Sequence, residues 1–117
     1  MPSAEESFRR LAIGDTALLA ALTGPDGGRP RGPRLDERTE SLIRVAVLVP
    51  VDAPQSSYQQ AVEAAIRAGA SIDDLLAALM ATAGTVGSPR VVAAAPRIAL
   101  AAGYDVDRVF EEGDTAG

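Results

Sequence analysis

Residues 53–71 read APQSSYQQAVEAAIRAGAS, and the fold turns on how this stretch divides. Pro54 suits a helix boundary and not a helix interior, and Ser56 and Ser57 are both good N-caps. The pattern therefore predicts a helix that begins near Ser56 or Ser57 and stops at Gly69, with Arg67 in its last turn, where a cation suits the helix dipole. Ser71 opens another helix. Asp74, three residues on, completes a capping-box signature with Asp in place of the usual Glu or Gln.

Downstream, Ile72, Leu75, Leu76, Leu79, Met80 and Ala83 recur at helical spacing and mark one apolar face, weakened at its end by Gly84 and Gly87. Ser88 and Pro89 start a fourth helix, with Pro89 expected at its first position, that carries Val91, Val92, Ala95, Ile98, Ala99 and Ala102 to Gly103. Pro96 lies inside it, removes a hydrogen bond to the Val92 carbonyl and is expected to kink it. Upstream, Asp36 is the expected N-cap of a helix reaching about Val49, with Leu42, Val45, Ala46 and Val49 on its apolar side. Pro50 and Pro54 bracket the turn that follows. No stretch alternates with period two, so the expected class is all-α.

The flanks read differently. Residues 4–22 carry helical spacing (Phe8, Leu11, Leu18, Leu19, Leu22), broken at Gly14, with Asp15 placed to cap a second short piece. Residues 23–34, TGPDGGRPRGPR, break helix and strand alike and read as a linker or a loop crossing to a neighbour. A short acidic helix is expected from Asp107, with a disordered end. The expected organisation is an N-terminal helical segment and linker over 1–34, a helical domain over 35–103, and a short acidic helix and tail over 104–117.

Composition narrows the function. The 117 residues hold no Cys, no His and no Trp, and all 11 basic residues are Arg. Without Cys there is no disulfide, thiolate nucleophile or Cys-based metal site; without His the usual general base and commonest metal ligand are missing. A net charge of −5 argues against a nucleic-acid partner. The longest apolar stretch, 75–86, is too short to span a bilayer, and the N-terminus carries no secretion signal. The expected protein is soluble and cytoplasmic, binds no metal or other cofactor, and touches neither membrane nor nucleic acid. A core of Ala, Leu, Val and Ile in so short a chain buries little area per residue, which points to a homo-oligomer that covers part of its apolar surface between subunits.

The order of these signals resembles the carboxymuconolactone decarboxylase family, which includes the alkylhydroperoxidase D-like proteins. The resemblance runs over residues 35–103 and rests on three pieces. They are LDERTESLIRVAV; AAIRAGAS followed by IDDLLAALMATA; and the turn GTVGSPR before an alanine-rich helix. It implies an alkylhydroperoxidase D-like bundle, with four core helices plus the N-terminal segment, assembled as a trimer or hexamer. In the redox branch a Cys-x-x-Cys and a His, with a Glu on the preceding helix, carry the chemistry. Here those positions fall near Pro54 and at Ser57, Ala61 and Ser41, with Glu40 beside the last. The decarboxylase branch keeps a His at the Ala61 position, and this chain lacks that too. A serine hydroxyl cannot replace a redox-active thiolate, so thiol peroxidase chemistry is not expected.

What remains is a small set of candidates. Glu40 is the best remaining general base, or a surface or subunit-contact partner of Arg44 four residues on. Ser57 and Tyr58 stand at a helix start that favours anions, or simply cap and pack. Arg44 and Arg90 are candidate substrate ligands. Arg90 and Arg97, seven apart, could clamp a carboxylate or serve a subunit contact. Two functions follow. One is a binder of a small carboxylate or lactone-like molecule, with a cofactor-free lyase or isomerase step in reach; the other is a non-catalytic structural or regulatory oligomer.

Overall fold

Capping chemistry sets where the helices start. In the computed structural model, residues 3–23 and 33–104 are described, and they form six α-helices and no strand. The linker at 24–32, the expected acidic helix from Asp107 and the terminal GDTAG lie outside the described residues.

The chain divides into two units, residues 1–35 and 36–117. The first holds α1 (Ala4–Ala12) and α2 (Thr16–Thr23), packed on each other. Ser3 caps α1 by accepting from the Glu6 amide, and Gly14 turns the chain at φ 70°. The Asp15 carboxylate accepts the Leu18 amide at 3.0 Å, which gives α2 the cap that the sequence predicts. No residue of either helix is buried, so the described residues of this unit form no core of their own.

The second unit is a bundle of α3 (Glu37–Ala46), α4 (Gln55–Arg67), α5 (Ile72–Val86) and α6 (Ser88–Ala101). α3 packs on α4 and α5, and α6 packs on the same two. Each helix turns a stripe inward: Val45 from α3, Tyr58, Val62 and Ala65 from α4, Leu75 and Leu79 from α5, and Ala94, Ile98 and Ala101 from α6. Val49 and Ala53, from the turn between α3 and α4, and Ala70, just before α5, complete this core. Small side chains on α4 and α6 allow these helices to approach closely, at the cost of apolar area per residue.

Most helix starts are as the sequence predicts. Asp36 accepts the Thr39 amide at 2.8 Å, and Ser71 and Asp74 form a complete capping box. Three details differ. α4 begins at Gln55 with Pro54 as its cap residue, so Ser56 and Ser57 lie within its first turn and make no cap. α3 ends at Ala46, and Leu48 and Val49 continue in tighter turns, with amide bonds to the carbonyls three residues back. α6 begins at Ser88, so Pro89 is its second residue, and the helix runs on through Pro96.

The apolar faces also differ. Leu76 and Met80 of α5 and Val92 of α6 are exposed, although the spacing places them with the core. Periodicity marks which residues share a side of a helix but not how wide the covered side is. Among the described residues, the covered stripe of α5 is one residue wide per turn.

Candidate functional site

On α4, two stripes run side by side. Tyr58, Val62 and Ala65 face the core, while Ser57, Ala61 and Ala64, each one residue earlier, face the flank toward α3. A step of one residue turns a helix by about 100°, so neighbours in sequence end on different sides. On α3 and the turn after it, Ser41, Arg44 and Leu48 stand three and four apart on the opposing side. Between these stripes lies an open pocket of about 380 Å³, also bordered by Val47 and Gln60.

The pocket gathers three of the four positions that the family resemblance singles out: Ser41, Ser57 and Ala61. Ser41 is buried, and among the described residues no other polar or charged residue is. The wall is formed by short side chains, and its polar groups are two hydroxyls, the Gln60 amide and the Arg44 guanidinium. Arg44 also stands 3.9 Å from Glu40, which does not line the pocket. Such a site can hold a small polar or anionic molecule through Arg44 and the hydroxyls. It holds neither an imidazole nor a thiol.

The other expected site residues lie elsewhere. Tyr58 is 1% exposed and belongs to the core stripe, so its phenol and the Ser57 hydroxyl do not converge on one cavity. Burial pushes the Tyr58 phenol above its ordinary pKa, with Arg97 opposing and Asp52 reinforcing. The apolar residues that could have walled a site at the start of α4 also lie apart. Val62 is in the core, Leu79 packs toward α6 and Met80 is exposed.

Arg90 and Arg97 do hold a carboxylate, and it belongs to the chain itself. Asp52 places Oδ2 3.2 Å from Arg90 Nη1 and Oδ1 3.4 Å from Arg97 Nη1. Its backbone is left-handed at φ 50°, a conformation that Asp tolerates better than most side chains. The segment PVDAP offered a signal for this role, since it brackets one acid between two prolines, but its partners were 38 and 45 residues away. Among the described residues there is no group of three acidic residues placed to hold a metal ion, and no helix is long and apolar enough to cross a membrane.

The model of the Carboxymuconolactone decarboxylase family matches residues 16–102, from the start of α2 to the end of the bundle, and so begins upstream of Leu35. No curated protein and no solved structure matches the chain.

Proposed function

The chain belongs to the carboxymuconolactone decarboxylase family, and from that premise we propose that it binds a small carboxylate or lactone-like molecule in the pocket between α3 and α4, without thiol redox chemistry. The observation that carries this is the convergence of Ser41, Ser57 and Ala61 with Arg44 on one pocket. The site positions implied by the family stay together in space although their reactive side chains are gone. Arg44 supplies the charge for a carboxylate, and Ser57 with the first turn of α4 supplies donors. If the bound molecule is turned over, the step is a cofactor-free lyase or isomerase reaction, with Glu40, beside Ser41 and paired to Arg44, as the general base. We further propose a cytoplasmic homo-oligomer, a trimer or hexamer, which agrees with the exposed Leu76, Met80, Val92 and Leu100.

Two observations favour a second reading. Glu40 is not part of the pocket lining, and Arg90 is engaged by Asp52, which leaves a scaffold protein with a decayed site. A thermal-shift screen of aromatic and lactone carboxylates separates the two. Binding predicts a melting temperature that rises with ligand concentration and, for a carboxylate, a rise that needs several-fold more ligand in Arg44→Ala. A flat response across the screen, with the wild-type chain folded, favours the scaffold.

A further inference from the structure

Asp52 is one carboxylate held by two guanidiniums, and the three charges do not balance. Arg90 faces its Oδ2 at 3.2 Å and Arg97 its Oδ1 at 3.4 Å, so each oxygen has its own cation. Formally one positive charge is left over. Among the described residues no second carboxylate lies within ion-pair distance of either arginine. The α6 segment that carries both, SPRVVAAAPRIALA, contains no acid. A chain with a net charge of −5 thus keeps a local positive excess here.

That excess is open to water. The side chains of Arg90 and Asp52 are 48% and 46% exposed. An ion pair so well solvated is weak, and a competing anion can exchange with the carboxylate. Asp52 also keeps its place on a left-handed backbone, which a side chain adopts at a cost that its surroundings must offset. Displacement of its carboxylate relaxes that constraint. Nor does the bond from Arg97 to the Ala53 carbonyl use up Arg97, since a guanidinium has five N–H donors.

We propose that Arg90 and Arg97 form a site for a phosphate-class dianion, with Asp52 as its tethered resting occupant. Charge selects the class: a dianion matches both guanidiniums, whereas a monocarboxylate only replaces Asp52 like for like. Shape agrees, because the planar fork of a guanidinium fits phosphate oxygens. The tether sets the strength. A group on a short link competes at an effective concentration on the order of millimolar, so the wild-type chain needs free dianion in that range. The site is separate from the pocket between α3 and α4, whose lining includes neither arginine.

The test is a calorimetric titration with inorganic phosphate at about pH 8, where phosphate is chiefly a dianion, against chloride at matched ionic strength. Asp52→Asn removes the competing charge and keeps a side chain that tolerates the left-handed backbone; Asp52→Gly does the same with no side chain. Both variants should bind phosphate about tenfold more tightly than wild type. Arg90→Gln added to Asp52→Asn should abolish the gain, and Arg44→Ala added instead should leave it intact. Phenyl phosphate identifies the source of the dianion: tighter binding than inorganic phosphate assigns the site to an organic phosphate, and no tighter binding assigns it to the free ion. Equal phosphate affinity in wild type and both Asp52 variants would overturn the proposal. So would a phosphate response that survives Arg90→Gln or disappears in Arg44→Ala.

Discussion

Arg97 of α6 donates from Nη1 to the backbone carbonyl of Ala53, the residue just ahead of the proline that caps α4. The same guanidinium faces Asp52 at 3.4 Å, and Gln55 returns a bond from Nε2 to the Arg97 carbonyl at 2.8 Å. Turn and helix are thus stitched in both directions. This stitch fixes where α4 starts, and so which side of α4 presents Ser57 and Ala61 to the pocket.

Arg97→Ala leaves the carbonyl of buried Ala53 without that donor. A buried acceptor stripped of its partner costs about 1–3 kcal/mol. The unfolding free energy from a urea titration should fall by that amount, and Arg97→Lys should recover part of it by keeping the charge beside Asp52. An unchanged midpoint in Arg97→Ala would mean that the stitch is ornamental.

Tyr58 should behave as a core residue. Tyr58→Ala opens a large cavity and should cost about 3–5 kcal/mol, while Tyr58→Phe keeps the ring and the packing. Affinity for any carboxylate found for the pocket should be the same in Tyr58→Phe as in wild type. The raised pKa also has a sign. The buried neutral phenol contributes stability that is present below the ordinary tyrosine value and is lost as pH rises through the raised one. The Phe variant should therefore lose less stability above pH ~10.

Local chemistry was legible in the sequence, and relations between distant segments were not. Asp36, Ser71 and Asp74 declare their caps within three or four residues, and the structure has those caps. Ser56 and Ser57 offered the same signal and lost to Pro54, because Gln55 and Arg97 tie the turn from across the bundle. That partner lies 42 residues away and leaves no local mark. The family's site positions Ser41, Ser57 and Ala61 were placed by order and spacing, and they do line one pocket. For Tyr58 the sequence left two readings, a site residue or a packed one, because polarity at a helix start cannot tell two sides of a helix apart; the side chain packs in the core. Leu76 and Met80 share the apolar face of α5 with Leu75 and Leu79 and are exposed, because periodicity does not say how much of a face its own bundle covers.

Acid should unfold the bundle partly through its caps. Asp74 is held below the usual carboxylate range by the Ser71 amide and hydroxyl, and Asp36 by the Thr39 amide and hydroxyl. Each ionised cap contributes stability that is present above the unfolded value near pH ~4 and is lost as pH falls through the lower folded value. Asp74→Asn removes one such titration. Its melting temperature should fall less than that of wild type between pH 5 and 3, to be read by circular dichroism in a pH series. Ser71→Ala should cost about 1 kcal/mol at neutral pH, as losing a helix cap does.

Filling the pocket tests the site without disturbing the core. Ala61 sits on the stripe one residue behind Val62, so a larger side chain there extends into open space and leaves the core stripe alone. Ala61→Leu should keep the unfolding free energy in urea within about 1 kcal/mol of wild type, since overpacking is costly only where density is already native. It should also block the wall between Ser41 and Ser57. Arg44→Ala makes the complementary change by removing charge and leaving volume. An exposed ion pair is worth about 0.2–1 kcal/mol, so this variant should weaken a carboxylate by up to roughly fivefold and leave a neutral lactone almost untouched. The pair of variants therefore separates shape from charge. If a carboxylate found by thermal shift binds Ala61→Leu as well as wild type, its site is not the pocket between α3 and α4.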